Sequence, residues 1–177
     1  MSTADHLDDS TAYLAVGEGP DAWTAATAEQ HGTQKLLDVE TLDPNERVAA
    51  ALELAADEHV VVRRRLMLLD GKPVEIANSY YPVLLAHGTP LAEKAKIRGG
   101  APRAIAELGL QVVEADEEVE LDSVPTFAEA ALLEVAEDVR VVRLFRTAYT
   151  NTGTPVEVTE SVMLPAGRVL RHRISVG

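Results

Sequence analysis

The residues of this chain best suited to chemistry are two arginines and two glutamates set in apolar, β-branched text: Arg65 and Arg146, Glu75 and Glu157. In one arrangement each glutamate answers a strand arginine across a sheet, and the pairing is structural. In the other, Arg65 with Glu157, or Arg146 with Glu75, lines a cavity between sheet and helices and fixes the polar end of a ligand. If such a cavity were catalytic, Arg65 would stabilise developing charge and Glu157 would move a proton. An isomerisation, elimination or cyclisation can proceed that way, by positioning and electrostatics alone.

Other chemistries find no support in the spacing. The histidines at 6, 31, 59, 87 and 172 form no pair at metal-ligand separation, and no HExxH, Asp-rich calcium loop, Walker loop or GxSxG is present. No metal and no cofactor is expected. Ser79 and Ser161 occupy equivalent places in an internal repeat, which speaks for structure before nucleophilic attack. The amides of Gly99-Gly100, at a helix start, could hold an anion; a flexible lead-in with Pro102 in the first turn explains the same letters.

The elements that must position these residues centre on Val60 to Pro82. Val60 to Leu69 and Val74 to Tyr81 read as strands joined at Asp70-Gly71, because glycine accepts a positive φ without steric cost. Alternation places Glu75, Ala77, Ser79 and Tyr81 on one face, with Val74, Ile76, Asn78 and Tyr80 on the other. The chain then repeats itself. A shift of 81 carries Pro44 onto Pro125, Leu52-Glu53 onto Leu133-Glu134, Val60-Val61 onto Val141-Val142 and Arg65 onto Arg146. A shift of 82 carries Gly71 onto Gly153, Pro73-Val74-Glu75 onto Pro155-Val156-Glu157 and Ser79 onto Ser161. Each copy reads as helix, strand, hairpin, strand, and two such copies need one shared core. The expected class is α+β, with about six antiparallel strands and covering helices.

Around this frame, residues 1–16 read as an acidic, loosely ordered tail and 17–177 as the domain, with Gly17 to Pro20 as a breaker. Trp23 reads as a packing anchor. Gln34 to Leu42 reads as the first strand, followed by a helix capped by Asp43 with Pro44 at its first position. Gly109 closes the helix after Gly99-Gly100, and the acidic strand from Leu110 to Leu121 reads as a solvated edge. A net charge of −13, from 29 acidic and 16 basic residues, opposes nucleic-acid binding. The triplet Arg63 to Arg65 lies inside a strand, so it reads as sheet-face arginines paired with acids in preference to a basic patch. No apolar run is long enough to span a membrane, the start lacks a secretory pattern and cysteine is absent, so a cytoplasmic location is expected.

RRRLMLLDGKPVEIANSYYP, the GTPLAE turn, Gly99-Gly100 with its helix and GTPVEVTESV together resemble the UTRA domain, the effector-binding half of GntR-type regulators of the HutC branch. The likeness covers roughly Gly17 to Ile174 and is closest to actinobacterial members. It implies a chorismate lyase-like fold enclosing a small-molecule pocket, and a homodimer whose ligand alters DNA binding by an attached winged helix-turn-helix. No recognition-helix pattern is present here, and the MSTAD start suggests a stand-alone domain. Sugar-phosphate binders of the family carry Arg-x-Arg on the first hairpin strand and Glu on the second. By position the first arginine is Arg65, while the second falls on Met67 and the glutamate on Ala77.

The resemblance therefore implies a ligand wall of Arg65, Met67, Ala77, Ser79 and Tyr81, joined by Gly99, Gly100, Arg146 and Glu157. Losing the bidentate phosphate grip points to a larger, more apolar ligand, with one anionic group met by Arg65 or the glycine amides. The leading expectation is a small-molecule binder that does not itself bind DNA. The alternative is a cofactor-free isomerase, lyase or cyclase on the same scaffold, of the kind used in secondary metabolism.

Overall fold

A computed structural model describes residues 6–9, 16, 21–166 and 168–171. Strands β2 (Thr33–Leu42), β3 (Val60–Leu69), β4 (Lys72–Pro82), β5 (Val112–Ser123), β6 (Val141–Thr150) and β7 (Pro155–Met163) form one antiparallel sheet in the order β2-β3-β4-β7-β6-β5. The α+β class with a six-stranded antiparallel sheet is thus as the sequence implies. Beside it, β1 (His6–Asp9) and β8 (Arg168–Arg171) pair in parallel. Most of the expected tail, with the Gly17–Pro20 breaker, lies outside the described residues.

The repeat governs the geometry. Its two copies meet where β4 pairs with β7, and Asn78, which the 82-residue shift carries onto Glu160, faces Glu160 in that pair. The sheet therefore has a pseudo-twofold centre at Asn78 and Glu160. Equivalence extends to the helix ends. Helix α2 (Glu46–Ala51) is capped by Asn45, whose Oδ1 accepts from the Val48 amide at 2.8 Å. Helix α5 (Phe127–Leu133) is capped by Thr126 in a capping box with Glu129. Asn45 and Thr126 are 81 residues apart, as are Glu53 and Glu134, which leave the two helices at φ of 55° and 57°. This corrects the expected cap. Asp43 lies too far ahead of the first turn to reach its amides, and Asn45, one residue past Pro44, takes the role.

Alternation then divides the core between two sheet faces. On one face, α2 and α5 bury Val48, Leu52 and Leu133 against Val60, Val62, Leu66, Ile76, Phe145 and Val162. On the other, helix α3 (Val83–Ala86), the 3-10 turn Pro90–Ala92 and helix α4 (Gly100–Glu107) pack on Val39, Val61 and Tyr81. Helix α1 (Ala22–Ala26) adds Trp23 to that face, where it packs on Met67 and Ala77. Helix α4 ends as its glycine demands: Gly109 takes φ of +79°, and the Gly109 and Leu110 amides reach back to Ala106 and Ile105. The acidic strand β5 is an edge strand, as its composition implies.

Candidate functional site

Two-residue alternation puts Arg63, Arg65 and Met67 of β3 on the face covered by α1, α3 and α4. Ladder register then sets Arg65 beside Ala77, and Arg63 beside Ser79. Across the pseudo-twofold, Ser79 pairs with Thr159, and Thr159 with Arg146. A cavity of about 100 Å³ lies over these rows. Arg65, Met67, Tyr81, Gly100, Arg146 and Glu157 of the expected set all line it. Ala77 and Ser79 lie in the floor beneath, at 4% and 0% exposure.

A chain of hydrogen bonds crosses the floor from one repeat copy to the other. Arg65 Nη2 donates to Ser79 Oγ at 2.7 Å, and Ser79 Oγ lies 3.0 Å from Thr159 Oγ1. Thr159 and Tyr81 both donate to Glu157 Oε1 at 3.0 Å. Burial, reinforced by the neighbouring Glu157 charge, pushes the Tyr81 phenol far up, so it remains a donor. Glu157 is accordingly held as a hydrogen-bond acceptor among hydroxyls.

The cations of the cavity divide by how far they are already satisfied. Arg63 is spent on the backbone: its Nη1 donates to the carbonyls of Pro90, Leu91 and Glu93, and its Nη2 to that of Ala95. Burial pulls the Arg63 guanidinium below its ordinary value, and this cage of carbonyl dipoles holds its charge. Arg146 pairs with Glu117 at 3.5 Å, and Lys96 with Asp21 at 3.1 Å. Burial works to raise the Asp21 carboxyl. Hydrogen bonds from Thr24, Gln34 and Lys96 outweigh it and keep the carboxyl below the usual range. Arg65 differs: among the described residues it has no carboxylate in ion-pair range, and its buried Nε has no acceptor. Arg65 as a whole is half-buried at the cavity wall, and a guanidinium so placed has donors to offer an anionic group.

Several sequence expectations need correction. Glu75 does not reach Arg146 or the cavity; β8 brings Arg168 to it at 3.0 Å, a partner from outside the repeat. Glu157 answers Tyr81 and Thr159, not a strand arginine. Of the arginine triplet, Arg64 alone is paired with an acid among the described residues, with Glu40, because alternation sends Arg63 and Arg65 to the covered face. Gly99 does not line the cavity, and the Gly100 amide is taken by the Ile97 carbonyl at 3.1 Å. The larger ligand implied by Met67 and Ala77 is not matched by the volume, since Trp23 packs into the space those residues leave.

Arg63, Gln34, Asp21 and Lys96 line the cavity without having been singled out. Arg63 was legible, standing two residues from Arg65 on one strand. Asp21 and Lys96 come from irregular segments that carry no period. Among the described residues no cluster of His, Cys, Asp or Glu could hold a metal, and no helix is long and apolar enough to cross a membrane.

Comparison with known proteins agrees with this architecture. The chain is 34% identical over 113 residues to an uncharacterised HTH-type transcriptional regulator of Streptomyces coelicolor. That match covers 62% of this chain and 42% of the regulator, so the chain spans about two fifths of the curated relative. Among solved structures, the ligand-binding domain assigned to a GntR-family regulator of Bordetella bronchiseptica superposes with a TM-score of 0.71 at 27% identity, covering 82% of this chain and 90% of that one. The effector domain of PhnF from Mycobacterium smegmatis has the same fold, with a TM-score of 0.75 at 20% identity over 90% of this chain and 97% of that one. The sequence profile of the UTRA domain matches residues 28–166, and on that span the chain belongs to the UTRA domain family, the effector-domain fold of GntR-type transcription regulators.

Proposed function

We propose that this domain binds a compact organic acid, holding its anionic group at Arg65 and its apolar body against Met67, Leu36 and Trp23. The observation that carries this reading is the Arg65 guanidinium, buried at Nε and without a carboxylate partner among the described residues, at the wall of a cavity with an apolar side. Binding without turnover accords with Glu157, which lines the cavity but is engaged there by two hydroxyls. The net charge of −13 supports a domain that does not itself grip nucleic acid.

Calorimetry with a matched set of small probes tests the proposal. Hexanoate should bind, hexanol and glucose 6-phosphate should bind far more weakly, and Arg65→Met should remove the preference for the acid. Tight binding of the sugar phosphate, or equal binding of acid and alcohol, would overturn it.

A further inference from the structure

Trp23, the one tryptophan of the chain, lines the Arg65 cavity on its apolar side. Alternation along β3 sets Met67 next after Arg65 on the covered face, and the ladder sets Ala77 beside Arg65. Trp23 packs on Met67 and Ala77 together. Leu69, further along β3, and Val74 of the next strand pack against the same group, and neither of them lines the cavity. The indole therefore stands between the cavity and an apolar strip that runs on along the hairpin.

The ring has little room to retreat. Its helix turn is fixed at the Trp23 carbonyl, which accepts from Thr27 Oγ1 at 2.6 Å and from the Thr27 amide at 3.0 Å. Gly32 closes in behind. A Cβ at Gly32 would stand 1.5 Å from Thr27 Oγ1 and 3.2 Å from Trp23 Nε1, so the close approach requires glycine. Asp21, which caps α1 through the Thr24 amide, is tied by Lys96 at 3.1 Å to the segment before α4. At 2% exposure, Trp23 is a wall held from several sides.

We infer that Trp23 sets the length of the ligand: it stops the apolar body of a carboxylate held at Arg65, so that a short acid fits and a long one is refused. The inference rests on the binding reading above and adds to it a limit on size. A close-packed wall yields little to an added methylene, so an acid that overruns it must displace the ring. A smaller side chain at position 23 joins the cavity to the strip of Leu69 and Val74, and each methylene that enters is then removed from water.

The test compares hexanoate with decanoate on the whole chain. By calorimetry the wild type should bind decanoate about tenfold or more weakly than hexanoate, as overpacking would dictate. Hexanoate should also change the Trp23 fluorescence as it saturates. Trp23→Ala should reverse the order and favour decanoate by about tenfold or more, the worth of roughly two buried methylenes. Decanoate should then raise the melting temperature of that variant more than hexanoate does. Trp23→Phe keeps an aromatic ring in the cluster and should shift the preference the same way by a smaller factor, which serves if the alanine variant does not fold. If neither acid binds the wild type, the Arg65 reading fails and the inference with it. If hexanoate binds while the Trp23 fluorescence is unmoved, if decanoate binds the wild type equally well, or if the variants weaken both acids alike, Trp23 is not the wall: the inference is overturned and the Arg65 reading stands.

Discussion

Ser79 Oγ and Thr159 Oγ1 lie 3.0 Å apart at the β4–β7 junction, linking the first repeat copy to the second. Through this contact the Arg65 guanidinium is tied to the Glu157 carboxylate without touching it. The pocket wall is therefore one hydrogen-bonded unit made of two halves, and its parts should respond together.

Ser79→Ala removes the acceptor of Arg65 and the partner of Thr159 at once. Expected are a stability loss of about 1–2 kcal/mol and a clear loss of hexanoate affinity. Urea denaturation and calorimetry on the same samples would check both. Lowered stability with undiminished affinity would show that the relay does not position Arg65.

Tyr81→Phe deletes a fully buried hydroxyl and leaves Glu157 with Thr159 as its donor among the bonds that now hold it. The cost should be about 1 kcal/mol, the net worth of one hydrogen bond. Denaturant midpoints measure it, and a change above about 3 kcal/mol would mean the phenol also carries packing that phenylalanine fails to supply.

Arg63→Met strands the carbonyls of Pro90, Leu91, Glu93 and Ala95. A loss of about 1–3 kcal/mol is expected, chiefly from leaving the buried Leu91 carbonyl without its donor. Amide exchange should rise between residues 90 and 98 while the α2 and α5 face stays protected. Uniform loss of protection across the sheet would contradict a local clasp.

Glu129 supplies a pH-dependent test. The Arg143 hydrogen bonds hold its carboxyl below the ordinary glutamate value, against the opposing effect of burial. The unfolded chain, titrating near the usual value of about 4.3, therefore binds more protons in acid than the folded one. The contribution is complete above that value and is lost as pH falls through the lower folded one. Because the pair is partly exposed it is worth only a fraction of a kcal/mol. The stability gap between wild type and Glu129→Gln should close on going from about pH 6 to about pH 3. A gap that widens in acid would refute the assignment.

Much of this architecture was legible in the letters, and for identifiable reasons. Period two fixed which side of β3 and β4 Arg65, Ala77, Ser79 and Tyr81 would take. The repeat implied a shared sheet, and Gly71 and Gly153 stand at equivalent turns with φ of +77° each. Partners were less legible. Glu75 is met by Arg168 from the short strand β8, and Arg63 by backbone carbonyls, which no side-chain pattern announces. The filling of the site by Trp23 depends on how α1 docks, a tertiary outcome that local sequence does not encode. Even the Asp43 cap went to Asn45 because a few residues of helix entry turn on backbone geometry.

Whether Arg65 holds the ligand can be read by native mass spectrometry of wild type and Arg65→Met, each incubated with a bacterial metabolite extract. The wild type should retain one small acid and release it chemically unchanged, and the variant should retain none. An acid retained equally by Arg65→Met, or a compound released in altered form by the wild type, would contradict binding at Arg65 without turnover.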